Sequence, residues 1–189
     1  MSAGSTLLHA YHLLRDGGVE RNMTVADFGC GSHGHLVVPA SRVVGEDGHV
    51  YAVDLVPAHL HMLRGTCAHH GCTNVDYVWG NYEIPRGIAI PDHSVDVVFF
   101  VNNLWQTGDF AAALQEVKRV LQPSGSLVIV DWQKKIAHPV APPAERRMDV
   151  YEARRHLAQA GVRRLKWLAL PETHWGYQCS FLDAPARGR

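Results

Sequence analysis

The chain has 189 residues, 47% of them hydrophobic and 19% charged, with no net formal charge; that balance fits one well-buried domain and excludes a disordered chain. No apolar run approaches the roughly 20 residues that span a bilayer, and no basic segment leads into an apolar core, so neither a membrane span nor a signal peptide is read. Four cysteines (Cys30, Cys67, Cys72 and Cys179) without a framework spacing suit a reducing compartment, the cytoplasm by default.

A leader comes first, read as a helical segment over residues 1–22. Thr24–Phe28 is a short apolar strand. Helix signals follow from Gly34 to Val44, with Pro39 expected to bend that helix. Glu46-Asp47-Gly48 is a turn and His49–Leu55 a second strand. Pro57 suits the first turn of the next helix, whose Leu60, Leu63 and Cys67 keep helical spacing until Gly71. Val75–Trp79 reads as a third strand. Val95–Val101, apolar except for Asp96, reads as a fourth that is covered on both faces. Asp109 is a good N-cap for a helix with Phe110, Leu114, Val117 and Leu121 on one stripe. Pro123-Ser124-Gly125 reads as a turn before a fifth strand, Ser126–Asp131. Residues 132–143 are Pro-rich and irregular, and a helix is expected from about 144 to 160, stopped by Gly161. Val162–Leu170 and Thr173–Leu182 then read as two strands whose connection is too short for a crossover, hence an antiparallel hairpin. Five βα-type units and a hairpin leave no residues for a separate substrate domain.

The first two strands carry the chemistry. Val25-Ala26-Asp27-Phe28-Gly29-Cys30-Gly31-Ser32-His33-Gly34 reads as strand, glycine turn and helix start, and Val50-Tyr51-Ala52-Val53-Asp54 as a strand ending in a carboxylate. Glycines at 29 and 31 let the backbone take positive φ and approach a ligand closely. Asp54 stands where a carboxylate accepts the hydroxyls of a ribose. Together they describe a nucleoside-bearing cofactor lying across the carboxyl ends of a parallel sheet. Gly29-x-Gly31-x-x-Gly34 also matches a dinucleotide fingerprint. Against that reading, Asp27 precedes the first glycine by two residues, where its charge opposes a pyrophosphate but suits an ammonium or a sulfonium. Asn81, in Trp79-Gly80-Asn81-Tyr82-Glu83 at the end of the third strand, can read an adenine amino group. The terminal hairpin is a third departure from an ordinary dinucleotide fold.

These residues resemble class I S-adenosylmethionine-dependent methyltransferases over about residues 20–182. Asp27-Phe28-Gly29-Cys30-Gly31 is similar to that family's first motif and Val53-Asp54 to its ribose-binding acid. Ile90-Pro91-Asp92-His93-Ser94-Val95-Asp96-Val97-Val98 is similar to the entry into its fourth strand, and Glu116-Val117-Lys118-Arg119-Val120-Leu121-Gln122-Pro123-Ser124-Gly125 to its fifth helix and the turn beyond. The resemblance implies an α/β fold with a Rossmann-like seven-stranded sheet, mostly parallel with a C-terminal antiparallel strand, and helices on both faces. It implies a methyltransferase domain at 23–183, a helical lid before it at 1–22 and a disordered tail at 184–189. It further implies S-adenosyl-L-methionine as cofactor and in-line displacement of its methyl group. By the same resemblance Asp27 orients the cofactor's amino acid portion and the backbone of Gly29, Cys30 and Gly31 lines it. Asp54 takes the ribose, Leu55 packs on adenine, Asn81 and Tyr82 flank the ring, and Asn102 offers its backbone near the amino group. Two departures stand out. The family commonly has glycine in place of His33 and aspartate in place of Asn81, whose amide oxygen can still accept from an adenine amino group.

Methyl transfer asks little of side chains beyond holding a nucleophile in line, with a base only where a proton must leave. Tyr11, His12, His33, Asn103, Trp105, Asp131 and His138 are candidates to border the methyl, and spacing singles out none of them. Trp105 and Trp132 form either an aromatic wall for a substrate or a cover for the sheet. Cys67-Ala68-His69-His70-Gly71-Cys72 lacks the second knuckle of a zinc site, so no metal is expected. Residues 1–130 carry 7 Lys/Arg against 12 Asp/Glu and residues 131–189 carry 11 against 6. The doublets Arg146-Arg147, Arg154-Arg155 and Arg163-Arg164 are expected on solvated faces off the carboxyl rim. The expected acceptor is therefore a small molecule, roofed by Leu7–Leu14 and the 132–143 loop, with no nucleic acid or membrane partner. RNA or protein methylation and a non-catalytic cofactor-binding role are the alternatives.

Overall fold

The computed structural model describes residues 8–181; Leu7, Leu182 and the expected tail at 184–189 lie outside the described residues. The elements run α1 (Ala10–Gly17), β1 (Thr24–Phe28), α2 (Val37–Val44), β2 (His49–Asp54), α3 (Pro57–His69), β3 (Val75–Trp79), β4 (Val95–Val101), α4 (Phe110–Val120), β5 (Leu121–Trp132), α5 (Val150–Gln159), β6 (Arg164–Trp167) and β7 (His174–Ser180). The seven strands form one sheet in the order β3-β2-β1-β4-β5-β7-β6. β7 runs antiparallel between β5 and β6, and the pairings among β1 to β5 are all parallel. The expected fold and its terminal hairpin are both present.

Each face of the sheet carries its own core. On one face Val25, Phe99 and Val128 pack against Leu13 and Leu14 of α1, Val37 of α2 and Leu63 of α3. On the other, Phe28, Phe100 and Ile129 pack against Phe110, Leu114 and Val117 of α4, Leu157 of α5 and Trp175 of β7. The apolar run of β4 follows from this: its residues alternate between two dry layers, so neither side needs to be polar.

Several boundaries differ from the sequence reading, each for a local reason. Gly34 adopts φ +65°, outside any helix, and a Cβ there would lie 2.8 Å from Leu63, so only glycine lets α3 close on this loop. α2 accordingly starts at Val37. Pro39 is its third residue, within the first turn, where a missing N–H breaks no helical bond and no bend is required. Leu121 already pairs with Val95, so β5 begins directly after α4 and takes in the expected Pro123–Gly125 turn. The helix expected at 144–160 is two pieces, a 3₁₀ turn at Ala144–Arg146 and α5. The second piece starts anew because the Asp149 carboxylate accepts from the Tyr151 N–H as N-cap.

The β3-to-β4 connection has no helix, so the expected series of five βα units is one helix short. Its loop is pinned to α4 instead. Glu116, buried, accepts from the Arg86 N–H at 2.8 Å and from Arg119 at 2.8 and 2.9 Å. Arg119 donates onward to the carbonyls of Ile88 and Ile90 and to Asp92. Arg147 also departs from expectation: it is buried, not on a solvated face. It donates to the carbonyls of Gln133 (3.0 Å), Ile136 (2.6 Å) and Pro142 (2.6 Å), gathering the loop beyond β5 around one guanidinium. No helix among the described residues is long and apolar enough to cross a membrane, and no group of three or more His, Cys, Asp or Glu among them is arranged to hold a metal.

Candidate functional site

A cleft of about 610 Å³ opens at the carboxyl ends of β1, β2, β3 and β4. This is the topological switch point, where β1 connects on to β2 on one side and its neighbour β4 to β5 on the other, and ligand sites of such folds lie there. All nine candidate residues line it: Asp27, Gly29, Cys30, Gly31, Asp54, Leu55, Asn81, Tyr82 and Asn102. Of the seven candidates for the methyl end, His33, Asn103 and Trp105 line it, whereas Tyr11, His12, Asp131 and His138 do not.

The glycine turn is built from three directions. From below, the N–H groups of Gly29 and Cys30 donate to the Val53 carbonyl at the end of β2. From β4, buried Asn103 donates its amide to the carbonyls of Phe28 (2.7 Å) and Gly29 (3.2 Å), and accepts from Gln106. From β2, Asp54 accepts the Gly31 N–H at 2.9 Å. Gly29 and Gly31 have φ of +77° and +64°. A Cβ on Gly29 would collide with the Asn103 amide, while the Cβ position of Gly31 faces open space. The backbone is therefore bare at Gly31, on the cleft side.

Asp54 does more than end a strand. Its second oxygen accepts from the Val56 N–H (2.9 Å) and from His59 Nδ1 (3.2 Å), so one carboxylate fixes both the glycine turn and the start of α3. Beyond it Leu55, 55% exposed, and Val56 offer an apolar floor to the cleft, with Trp79 Nε1 donating to the Leu55 carbonyl. Tyr82 is largely a core residue, stacked on Phe28 at 5.6 Å and edge-on to Phe100, and burial pushes its hydroxyl up to about 12. The Asn81 amide oxygen is already engaged, accepting the Glu83 N–H at 2.8 Å. The amide NH2 and the second lone pair of that oxygen are what Asn81 has left to offer.

Two acceptors in the cleft lack donors. Asp27 is 5% exposed at the end of β1 and its carboxylate accepts no hydrogen bond among the described residues; burial, then the charge of Asp54, raise its pKa to about 7. On the adjacent strand β4, Asn102 follows with φ +58°. Its N–H donates to Val130 and its carbonyl accepts from Trp105 Nε1, which leaves one carbonyl lone pair of the backbone expected to face a ligand. Its side-chain oxygen is buried without a partner. The Cys30 thiol, also raised by burial and then by Asp27 and Asp54, stays protonated.

Four cleft residues had no sequence signal: His35, whose Nε2 meets the Leu8 carbonyl at 2.9 Å; His59; Gln106; and Glu83, which accepts the N–H groups of Gly108 and Asp109. His35 and Glu83 meet partners 27 and 25 residues away in the chain, whereas His59 and Gln106 bond locally, to Asp54 and Asn103, in turns that no periodicity marks. Asp131, by contrast, is fully buried behind the cleft, accepting from Leu104 and Trp132 N–H groups, and burial raises its pKa to about 6.

Comparison with known proteins agrees with this geometry. A family model described as a methyltransferase domain matches residues 25–125. The ubiquinone/menaquinone biosynthesis C-methyltransferase UbiE of Proteus mirabilis is 34% identical over 142 residues, 75% of this chain and 55% of that protein. The same-named enzyme of Escherichia coli K12 is 34% identical over 125 residues, 66% of this chain and 48% of its own. The chain thus spans about half the length of the curated relatives it matches. The crystal structure of a SAM-dependent methyltransferase from Aquifex aeolicus superposes with a TM-score of 0.85 at 27% identity, covering 93% of this chain and 91% of that one.

Proposed function

Because this chain belongs to the class I S-adenosylmethionine-dependent methyltransferase superfamily, we propose that it binds S-adenosylmethionine in the cleft and transfers the methyl group to a small-molecule acceptor. The observation that carries the reading is the pair of acceptors without donors, Asp27 and the Asn102 side-chain oxygen, on neighbouring strands beside a bare glycine turn. A buried carboxylate with no partner is costly unless a cation arrives. An ammonium supplies a charge and N–H donors at once, whereas a pyrophosphate supplies neither.

The residues present fit the cofactor along its whole length. Asp27 and Asn102 would hold the amino acid end and the Gly31 backbone would lie against it. Asp54, with three of its roughly four acceptor sites used internally, keeps capacity for a ribose hydroxyl. Leu55 and Val56 would cover one adenine face. Asn81 keeps its NH2 and one lone pair of its oxygen, so it would accept from the adenine amino group as expected and could donate to a ring nitrogen as well. When bound, S-adenosylmethionine supplies a methyl group already made electrophilic by its sulfonium.

The work left to the chain is to hold the acceptor in line, about 3 Å from that carbon, and to keep water out. Leu8, Leu36, Trp105 and Gln106 border the remaining part of the cleft and would make that wall. UbiE is a C-methyltransferase by name. Four free cysteines suit a cytoplasmic location.

Calorimetry with S-adenosylhomocysteine tests the reading. Binding in the micromolar range is expected, and Asp54→Ala should weaken it by about 1.5–3 kcal/mol, the scale for losing a charged acceptor. Since Asp54 also ties the Gly31 and Val56 N–H groups, the same variant should melt a few degrees lower. NAD binding with no response to S-adenosylhomocysteine would overturn the assignment.

A further inference from the structure

The rim of the cleft is divided by charge. Three carboxylates line the cleft, Asp27, Asp54 and Glu83, and no lysine or arginine does. The segment that meets Trp105 from outside the lining has the opposite sign: residues 133–147 carry Lys134, Lys135, Arg146 and Arg147 against Glu145 alone. Arg147 is consumed internally, holding three loop carbonyls. Arg146 is exposed, and its guanidinium sits 4.9 Å over the indole of Trp105. Among the described residues no carboxylate pairs with Arg146, Lys134 or Lys135. Of the doublet Arg146-Arg147, Arg147 is turned inward, and Arg146, expected off the carboxyl rim, is stacked on a residue that lines the cleft.

Trp105 is held in one orientation, because its Nε1 donates to the Asn102 carbonyl at 3.1 Å. Its ring lines the cleft beside Asn102 and Asn103. An arginine stacked on an aromatic ring uses the face of its guanidinium and keeps the N–H edge free for an anion. Buried Arg147 fixes the loop next to it, so this edge is presented by a rigid segment and not by a flexible tail.

Resting on the methyl-transfer reading above, we propose that the acceptor is a planar aromatic molecule with one anionic substituent, its ring against Trp105 and its anion on the N–H edge of Arg146. The cationic cofactor would then lie among the carboxylates of the cleft and the anion of the acceptor at its edge, beside Trp105, on Arg146. Each is disfavoured in the other's place by like charge, which sets the orientation of the acceptor as well as its identity. Nucleophile and sulfonium methyl meet between these two regions. With the cofactor bound, the acceptor atom would form the new bond to carbon as the carbon–sulfur bond breaks, the electron pair staying on sulfur. Any proton on the acceptor atom leaves to solvent at this open rim.

The test uses the full chain saturated with S-adenosylhomocysteine, with 4-hydroxybenzoate and its neutral analogue 4-hydroxybenzamide as probes in ligand-observed NMR titrations. The acid should bind about tenfold more tightly than the amide, the scale of one charge-assisted contact. Arg146→Gln should abolish that preference while S-adenosylhomocysteine binding stays unchanged, and Trp105→Leu should weaken both probes. Equal binding of acid and amide, or an undiminished preference in Arg146→Gln, overturns the proposal. Tight, steeply salt-dependent binding of a short RNA that displaces both probes also overturns it, in favour of a polyanionic acceptor. S-adenosylhomocysteine binding is read before any probe is added, so failure of the cofactor reading is seen separately.

Discussion

Asn103 reaches from the end of β4 to the carbonyls of Phe28 and Gly29, residues 75 and 74 positions earlier in the chain. Its amide fills the space that a Cβ on Gly29 would need. Glycine at 29 and asparagine at 103 are thus two halves of one device, a turn bent to positive φ and held there by a donor from the neighbouring strand. Asn103→Ala removes both bonds and leaves the carbonyls short of a partner, at a cost of about 1–3 kcal/mol. Urea denaturation should show that loss, and S-adenosylhomocysteine affinity should fall several-fold because the turn is no longer fixed before binding. An affinity equal to wild type would show that the turn holds itself. From the sequence Asn103 is only one of seven residues near the methyl end, whereas Asp27, Gly29, Gly31 and Asp54 are legible as a set. Those four occupy fixed offsets within two successive strands; the job of Asn103 exists only once β1 and β4 are neighbours. Asn81 and Asn102 fall between these cases. Their places in the cleft were legible, but how many of their hydrogen-bonding sites are already used was not, since that depends on Glu83, Val130 and Trp105.

Elements defined by their own apolar pattern were read correctly from sequence, and elements defined by a partner were not. β4 announces itself as a continuous apolar run and β7 by alternation, and both stand where expected. The β3-to-β4 connection carries Pro85, Gly87 and Pro91, which deny it a helix, and its order comes from charges on α4 that a helical wheel assigns to solvent. Glu116 is the centre of that arrangement, buried and bonded to the Arg86 N–H and to the Arg119 guanidinium. Glu116→Ala leaves Arg119 without its buried partner and frees the loop from α4. Breaking such a pair from one side costs about 3–5 kcal/mol, and partial exposure of Arg119 places the expected loss near the lower end. The measurement is the urea midpoint, with Glu116→Gln as the companion variant that keeps the neutral hydrogen bonds and should recover part of the loss. A midpoint unchanged in Glu116→Ala would mean the loop is held by its own turns.

At the scale of the molecule, the sheet places an ionisable acid where only a ligand can complete it. Asp27, ordinarily near 3.8, is held at about 7 by burial and by Asp54, so the ligand-free protein keeps a proton there up to neutrality. A ligand bearing an ammonium needs the carboxylate and must expel that proton. The affinity for S-adenosylhomocysteine should therefore fall as pH drops below 7, by about tenfold per unit while the bound form stays ionised. Calorimetry at pH 6 in buffers of different ionisation enthalpy should register release of close to one proton per ligand. Asp27→Asn should bind weakly and with little dependence on pH. The melting temperature of the ligand-free protein is a poorer readout, because opposed contributions overlap. The raised acids, Asp27 and Asp131, bind protons in the folded state first, so their contribution to stability is full below 3.8 and declines as pH rises from there to about 6 for Asp131 and about 7 for Asp27. His174, lowered to about 4 mainly by burial, protonates first in the unfolded state, and its contribution is lost as pH falls from 6.5 toward 4. The increment in melting temperature on adding ligand isolates Asp27 from both, and it should grow between pH 5.5 and 7.5. An increment that stays flat over that interval would mean that Asp27 is already ionised in the ligand-free cleft, with its charge compensated before any cofactor arrives.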